Sequence, residues 1–245
     1  MAKVMVLADG FVGLKITKFL LENFCDDIVT VITTEENEIS NLVESHRIPS
    51  HVFRSSSQLI NSIPEKCEIG ILAWWPKVIE KELINFPSLG FYNTHPSYLP
   101  YGKGKYPNFW ALVEQTPFGV TIHKVDGGVD TGPIVARNEI AYSWSDNGET
   151  LYTKAIETIL ELFKTTYSRI RKGDLSLIPN DPKSGTYHHS SELEPASKIL
   201  LDQNYLARDL LNLLRARTFD GFPGCWFTED NVKYEVKISI RRVNL

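Results

Sequence analysis

VMVLADGFVGLKITKFLLEN, residues 4–23, is the stretch that decides the fold class of this 245-residue chain. Its first five residues form a continuous apolar run, which is typical of a parallel strand buried on both faces. Apolar residues then recur at helical spacing, so a helix is predicted from about Phe11 to Asn23. A strand followed at once by an amphipathic helix is the repeating unit of α/β proteins.

The same alternation continues through the first hundred residues. Further strands are predicted at Ile28–Ile32, Val52–Phe53, Ile69–Ala73 and Gly90–Asn93. Helices are predicted around Ile39–Val43, around Leu59–Ile63 with a serine cap at Ser55, and from Pro76 to Leu83. This succession predicts an α/β, Rossmann-like fold: a mostly parallel sheet with helices on both faces.

The pattern changes in the second half of the chain. Two more strands are predicted on either side of the glycine-rich loop 126–132, followed by a long amphipathic helix that Gly173 ends. Residues 175–195 resemble an irregular connection because Pro, Ser, Gly, Asp and His are frequent. A last helix carries Leu206 to Leu214. Lys233–Arg241 then alternates with period two, which predicts a hairpin strand with one buried face. The expected division is a main domain at 1–175, a connecting segment at 176–200 and a small C-terminal helix and β-hairpin subdomain at 201–245.

Composition excludes several classes of protein. Hydrophobic residues make up 42% and charged residues 23%, so a disordered chain is excluded. The net charge of −4 argues against a nucleic-acid partner. No apolar run is long enough for a membrane span, and no targeting signature is visible. Three scattered cysteines favour neither a disulfide framework nor a zinc site, so we expect a cytoplasmic protein.

The residues with the clearest chemical potential follow the predicted strand at 90–93. Asn93 and His95 point to one side of an extended chain, and Pro96 disfavours a helical conformation at His95. An amide and an imidazole together suit oxyanion stabilisation and proton transfer. Asp130, in the glycine-rich loop, could orient His95 and favour its protonated form. Each of these residues alone could equally be structural.

Two other motifs are weaker. Asp9-Gly10-Phe11-Val12-Gly13 lacks the third glycine of a dinucleotide fingerprint, so it is either a tight turn or an anion site at a helix N-terminus. His188 and His189 have no third ligand at metal spacing, and no metal is expected.

The sequence resembles a known family at three places. Asn93-Thr94-His95-Pro96-Ser97, Leu99-Pro100 and Val129-Asp130-Thr131-Gly132 are similar to the signature of formyltransferases that use 10-formyltetrahydrofolate. The resemblance covers roughly residues 1–175. It implies the formyltransferase fold, with Asn93, His95 and Asp130 as catalytic residues and formyl-folate as co-substrate.

Two further segments resemble the sugar-nucleotide N-formyltransferases in particular. They are residues 99–110 and the stretch from Leu214 to Gly224. This resemblance implies a homodimer that formylates a nucleotide-linked amino-dideoxyhexose, with dTDP-4-amino-4,6-dideoxyglucose expected, for surface polysaccharide such as lipopolysaccharide O-antigen. A 3-amino sugar, glycinamide ribonucleotide, methionyl-tRNA, or water as the formyl acceptor remain alternatives. A ligand-sensing module without catalysis is the alternative outside the enzymes.

The resemblance also implies two sets of binding residues. The expected folate contacts are Trp75, Lys77, Val78, Ile79, Asp126 and Gly127. The expected contacts to the sugar nucleotide are Pro100, Gly102, Lys103, Lys105, Tyr187 and Phe219. Aromatic residues in the second set could stack on a pyrimidine base, or they could simply fill the core of the small subdomain.

Overall fold

A computed structural model of the chain describes residues 1–63 and 66–243. Its strands are β1 (Val4–Ala8), β2 (Ile28–Thr33), β3 (Ser50–Val52), β4 (Ile69–Ala73), β5 (Phe91–His95), β6 (Lys103–Gly104), β7 (Gly119–Lys124), β8 (Ile134–Glu139), β9 (Tyr187–His188), β10 (Cys225–Glu229) and β11 (Val232–Val236). Its helices are α1 (Gly10–Phe24), α2 (Glu38–Ser45), α3 (Ser56–Ser62), α4 (Lys81–Ile84), α5 (Pro107–Glu114), α6 (Gly148–Lys172), α7 (Leu193–Ala196) and α8 (Ala207–Arg217). Short 3-10 helices cover Cys25–Asp27 and Ser190–Glu192.

The central sheet confirms the predicted fold class. Within the described ranges it has seven strands in the order β3-β2-β1-β4-β5-β7-β8. The first five strands pair in parallel, and β7 runs antiparallel to β5. Helices flank the sheet, and a separate β10–β11 hairpin follows α8 near the end of the chain. From β1, the chain adds β2 and β3 on one side of the sheet and then β4 and β5 on the other side. In sheets of this kind, ligands bind beyond the carboxyl ends of the strands.

The chain forms two compact units. The first consists of residues 1–95, 121–137 and 159–180, and the second of residues 96–120, 138–158 and 181–245. The division at residues 175 and 200 stays a prediction from the sequence.

The strongest sequence signals produce the expected elements. All five residues of β1 are buried, as a continuous apolar run in a parallel sheet requires. Asp9 caps α1, since its carboxylate accepts a hydrogen bond from the Gly10 N–H at 2.8 Å. Ser55 caps α3 in the predicted way. Long α6 ends at Lys172, and Gly173 follows it with a φ of +68°.

The predicted helix from Pro76 to Leu83 is wrong over most of its length. Only Lys81–Ile84 is helical, and the residues before it form an irregular loop after β4. Trp74 begins this loop with a φ of +57°. Val78 is 83% exposed whereas Ile79 is buried in the core, so the loop divides its apolar residues between solvent and interior. A Pro at a favourable first position does not suffice, because the stability of a short helix in a protein comes mainly from tertiary packing.

Two predictions for the last seventy residues also need correction. The segment read as irregular contains strand β9 and helix α7, and β9 pairs in parallel with β6. The hairpin exists, but β11 ends at Val236 rather than at Arg241, and Val232 and Tyr234 are 48% and 45% exposed. The alternating pattern therefore gave the strand correctly, but its predicted buried face is only partly covered: Tyr234 is exposed, and Val236, Ile238 and Ile240 are half-buried. Among the residues described, no helix has the length and apolarity needed to cross a membrane.

Candidate active site

The end of β5 carries two of the predicted catalytic residues. Asn93 and His95 are two residues apart on the strand and therefore lie on the same face of the sheet. The antiparallel register places His123 of β7 opposite Asn93, and Thr121 opposite His95. Strand pairing thus surrounds Asn93 and His95 with polar side chains.

Asp130 reaches the same place from the loop after β7. Its φ is +54°, a left-handed conformation that Asp adopts more readily than most residues. The Asp126 carboxylate ties the loop internally by accepting a hydrogen bond from the Thr131 hydroxyl at 2.7 Å. Gly132 passes so close to the carbonyl oxygen of Lys124 that a Cβ there would lie 1.8 Å from it. Only glycine fits at this position, and the loop can fold back beside β7 because of it.

The three side chains meet in the structure. His95 Nδ1 lies 3.6 Å from Asp130 Oδ2, and Asn93 Nδ2 lies 3.5 Å from Asp130 Oδ1. His95 is 5% exposed and the Asp130 side chain 11% exposed. Charges and dipoles act more strongly at a site from which water is largely excluded. The arrangement offers an amide donor, an imidazole and a carboxylate that can hold the imidazole in position.

A fourth polar residue, His123, was not predicted. Its Nε2 lies 3.2 Å from Asn93 Nδ2 and 3.4 Å from Asp130 Oδ1. Its Nδ1 lies 3.1 Å from the carbonyl oxygen of Lys124, which can only accept a hydrogen bond, so we assign the proton of the neutral ring to Nδ1. Nε2 then accepts a hydrogen bond from the Asn93 amide and fixes its orientation.

A signal for His123 exists in the sequence. Val120 and Ile122 alternate with Thr121 and His123, so the two polar residues lie on the opposite face of the strand from the two apolar ones. Predicting that His123 lies beside Asn93 requires the register between β5 and β7, and the sequence does not give this register.

The first turn of α1 is closed to a phosphate. Asp9 Oδ1 accepts from the N–H of Gly10, and Asp9 Oδ2 accepts from the Thr34 hydroxyl at 2.5 Å. A carboxylate already occupies the positive end of the helix, and it repels a second anion. Of the two interpretations of Gly10 and Gly13, the tight turn agrees with this geometry.

Family models match most of the chain. A model described as "Formyl transferase" matches residues 2–165, and one described as "N-formyltransferase dimerization C-terminal domain" matches residues 192–242. The chain belongs to the formyl transferase family. The predicted resemblance is therefore confirmed at the level of the family.

These curated relatives match only part of the chain. A methionyl-tRNA formyltransferase from Thermodesulfovibrio yellowstonii is 34% identical over 60% of this chain and 47% of its own length. A dTDP-4-amino-4,6-dideoxyglucose formyltransferase from Mycobacterium bovis is 29% identical over 56% of this chain and 58% of its own. The chain thus spans about half the length of these curated relatives. A 4-N formyltransferase structure from Francisella tularensis has a TM-score of 0.83 and 21% identity over 99% of both chains, which shows a shared fold.

The residues predicted to contact folate lie in the loop after β4 and in the loop after β7. Trp75 packs edge to face on Phe53, with 5.5 Å between the ring centroids, and Lys77 lies 5.6 Å from the Phe53 ring. Val78 is exposed, whereas the side chain of Ile79 is buried and leaves only its backbone available.

The loop after β7 holds the other two predicted folate contacts. The Asp126 carboxylate accepts hydrogen bonds within its own loop, from Gly128 N and the Thr131 hydroxyl. Gly127 has open space where a side chain would stand. Contact with folate stays a prediction for Asp126 and Gly127, as it does for Trp75, Lys77, Val78 and Ile79.

The loop at residues 102–105 carries three of the predicted sugar-nucleotide contacts, and one of its two lysines makes hydrogen bonds within the protein. Lys103 is 3% exposed, and its ammonium donates to the carbonyl oxygens of Pro182 and Ser184 at 2.9 and 2.8 Å. The Gly102 N–H donates to the Thr186 hydroxyl at 2.9 Å. Lys105 is exposed. The geometry thus gives Lys103 a role in holding the loop, and it leaves Lys105 as the lysine whose side chain reaches solvent.

The other predicted sugar-nucleotide contacts also lie in the second unit. Tyr187 is 50% exposed beside Gly104, and Pro100 lies against Gly185. Phe219 packs between Tyr152 and Phe222, with ring centroids 5.6 and 4.9 Å away. Part of the Phe219 ring is therefore used in local packing. None of these contacts to a ligand is tested, and they stay predictions. The described residues contain no group of three or more His, Cys, Asp or Glu placed to hold a metal ion.

Proposed function

We propose that this protein transfers a formyl group from 10-formyltetrahydrofolate to the amine of a nucleotide-linked amino-dideoxyhexose, with dTDP-4-amino-4,6-dideoxyglucose as its substrate. The observation that carries the proposal is the convergence of Asn93, His95 and Asp130 in a buried site of a formyl transferase. The relative from Mycobacterium bovis carries that substrate in its name, and it supports the choice of sugar.

The site residues suit the chemistry of formyl transfer. Bound formyl-folate supplies an electrophilic formyl carbon attached to a nitrogen that can leave. As the neutral substrate amine forms its bond to that carbon, negative charge develops on the formyl oxygen. The Asn93 amide and protonated His95 donate hydrogen bonds to this oxygen. Asp130 stabilises the imidazolium, and His95 helps a proton move from the amine to the folate nitrogen as the old C–N bond breaks.

The loop after β4 fits a flat, partly apolar cofactor. Trp75 and Val78 present aromatic and aliphatic surface, and pockets for such molecules are mostly lined by residues of this kind. The Trp75 indole N–H is buried and has no hydrogen-bond partner among the described residues. A buried donor without a partner is costly, so a polar group of a bound molecule would stabilise it.

Two observations favour a sugar over the other acceptors. Asp9 occupies the N-terminus of α1, and the resemblance places the phosphate loop of glycinamide ribonucleotide enzymes after the first strand. A chain of net charge −4 is poorly suited to tRNA, whose binding depends on many phosphate contacts. Methionyl-tRNA remains the second candidate because the relative at 34% identity carries that activity in its name.

A comparison of substrates tests the proposal. We expect kcat/KM with formyl-folate to be highest for the dTDP-4-amino sugar, lower for a 3-amino isomer, and negligible for glycinamide ribonucleotide and methionyl-tRNA. Asn93→Ala and His95→Ala should each lower kcat by roughly 10²–10³, the usual effect of removing an oxyanion donor. A preference for tRNA would overturn the sugar assignment, and folate release without any amine would indicate a hydrolase. A His95→Ala protein with full turnover would refute the catalytic assignment.

We also propose a cytoplasmic homodimer that acts in the synthesis of surface polysaccharide such as O-antigen. The model named for a dimerization domain covers α8 and the β10–β11 hairpin, and the apolar side chains of Val232 and Tyr234 on β11 are half exposed. A second copy would bury this face. Light scattering after size exclusion should give twice the monomer mass, and Tyr234→Lys should reduce it; a wild-type monomer would contradict the dimer.

A further inference from the structure

Asn180 lies beside the loop that carries Asp130, although its sequence context predicted an irregular connection. It is 7% exposed. Its Nδ2 donates to the carbonyl oxygen of Asp130 at 2.9 Å and to that of Gly132 at 3.1 Å. A single side-chain amide therefore holds the backbone on both sides of Thr131.

Strand-like pairing explains how Asn180 reaches this position. Ile134 and Ile178 exchange two backbone hydrogen bonds, of 2.9 and 2.8 Å, in an antiparallel bridge. Two residues further along this register, Asn180 lies opposite Gly132. The bridge fixes the backbone of the segment, and the Asn180 side chain extends the contact to the catalytic loop.

The chemistry of the contact requires an amide. The NH₂ group of Asn has two hydrogens and can donate to two carbonyls, whereas a serine hydroxyl can donate to one and an ionised aspartate to none. The Asn180 oxygen is buried and accepts no hydrogen bond from the described part of the chain. The Asn180 side chain therefore makes its hydrogen bonds to the loop through its NH₂ group and not through its oxygen.

We propose that Asn180 is a positioning residue for catalysis, which holds the Asp130 backbone in its left-handed turn so that the carboxylate meets His95. Asp130 has a φ of +54°, and such a conformation persists only where the surroundings hold it. The Asp130 carbonyl held by Asn180 belongs to the residue whose carboxylate lies 3.6 Å from His95. The inference rests on the proposed formyl transfer only for its kinetic part.

The kinetic test compares Asn180→Ser, Asn180→Ala and Asn180→Asp with the wild type. Misplacement of a catalytic group by about 1 Å costs on the order of 10²-fold, so Asn180→Ala should lower kcat by about that factor and leave KM for both substrates nearly unchanged. Asn180→Ser should retain intermediate activity because it keeps one donor. Asn180→Asp should be as impaired as Asn180→Ala or more so, since its carboxylate faces two carbonyl oxygens. Exposed Ser176→Ala in the same segment is the matched control and should be unaffected.

A second readout needs no substrate. NMR titration of the His95 imidazole reports the nearby carboxylate, which favours the protonated ring. In Asn180→Ala the midpoint of that titration should fall toward the midpoint measured in Asp130→Ala, while thermal unfolding confirms that each variant is folded. An Asn180→Ala protein with unchanged kcat and an unchanged His95 titration would overturn the proposal; if Asn180→Ala does not fold, Asn180→Ser decides by the same two readouts. A wild type inactive with formyl-folate and every amine would count against the proposed function alone, because the His95 titration tests the role of Asn180 without substrate.

Discussion

The imidazole of His95 and the carboxylate of Asp130 face each other across 3.6 Å, between Nδ1 and Oδ2. The two residues come from different structures, the last position of β5 and a left-handed turn after β7. The distance is longer than a hydrogen bond, and catalytic contacts often shorten only when substrate is bound. The pair is therefore placed to act as an imidazolium held by a carboxylate.

Neutralising this carboxylate should impair catalysis more than binding. We expect Asp130→Asn to lower kcat by about 10²-fold or more, because the amide no longer favours protonated His95. The loss should grow as the pH rises, since His95 then loses its proton more easily than in the wild type. Steady-state rates between pH 6 and pH 9 provide the measurement, with exposed Asp174→Asn as the control. If the pH profile of Asp130→Asn ran parallel to that of Asp174→Asn, this role of Asp130 would be wrong.

His123 should matter through the orientation of Asn93. Its Nε2 accepts from the Asn93 amide at 3.2 Å, so His123→Ala leaves that amide held only by the longer contact to Asp130 and should lower kcat by about tenfold, or ~1.4 kcal/mol. His123→Gln offers a side-chain oxygen as an alternative acceptor and should recover part of the loss. Single-turnover rates measure the chemical step directly. Equal loss in both variants would indicate that His123 acts as packing rather than as a hydrogen-bond acceptor.

The sequence predicts what depends on local patterns. A buried apolar run, a helical repeat and the segment from Asn93 to Pro96 suffice to predict the parallel sheet and two candidate catalytic residues at a strand end. His123 and Asn180 depend instead on which residues of distant segments lie opposite each other, and that register is set by tertiary pairing. The residues alone suggested that Asp130 could orient His95, and the resemblance between whole motifs made that contact an expectation before the structure showed it.

Lys103 shows the same limit for a charged residue. A lysine between glycines resembles a solvent-exposed phosphate ligand, but its ammonium is buried against carbonyl oxygens of Pro182 and Ser184, far along the chain. The helix predicted at Pro76 failed for a related reason, because the loop that replaces it sends Ile79 into the core. Local propensity does not report such contacts.

The two lysines of this loop should respond differently to loss of charge. Lys103→Met removes two charge-assisted hydrogen bonds of a buried group, and hydrogen bonds to charged groups contribute about 1.5–3 kcal/mol each, so the free energy of unfolding should fall by roughly 3–6 kcal/mol. Lys105→Met, at an exposed position, should leave stability unchanged and raise KM for the sugar nucleotide. Urea unfolding and steady-state kinetics on both variants check this. A stable Lys103→Met protein with a raised KM would instead support Lys103 as the ligand of the diphosphate.

A last prediction concerns stability in alkali. Tyr167 is fully buried, and its hydroxyl donates to Asp27 at 3.4 Å beside Arg171. Burial raises the pKa of this phenol far above its usual value of about 10, and the negative charge of Asp27 raises it further. The folded state therefore keeps a proton that the unfolded chain loses above pH 10, and the stabilisation present below that pH is lost as the pH rises further.

This loss should amount to as much as about 1.4 kcal/mol per pH unit from this residue alone. Urea unfolding at pH 9, 10 and 11 should show a shallower decline for Tyr167→Phe than for the wild type. The decline should not vanish, because burial also raises the pKa values of Tyr92 and Tyr142. Exposed Tyr106→Phe is the control and should follow the wild type. If Tyr167→Phe declined as steeply as the wild type, the alkaline loss would have to come from other groups.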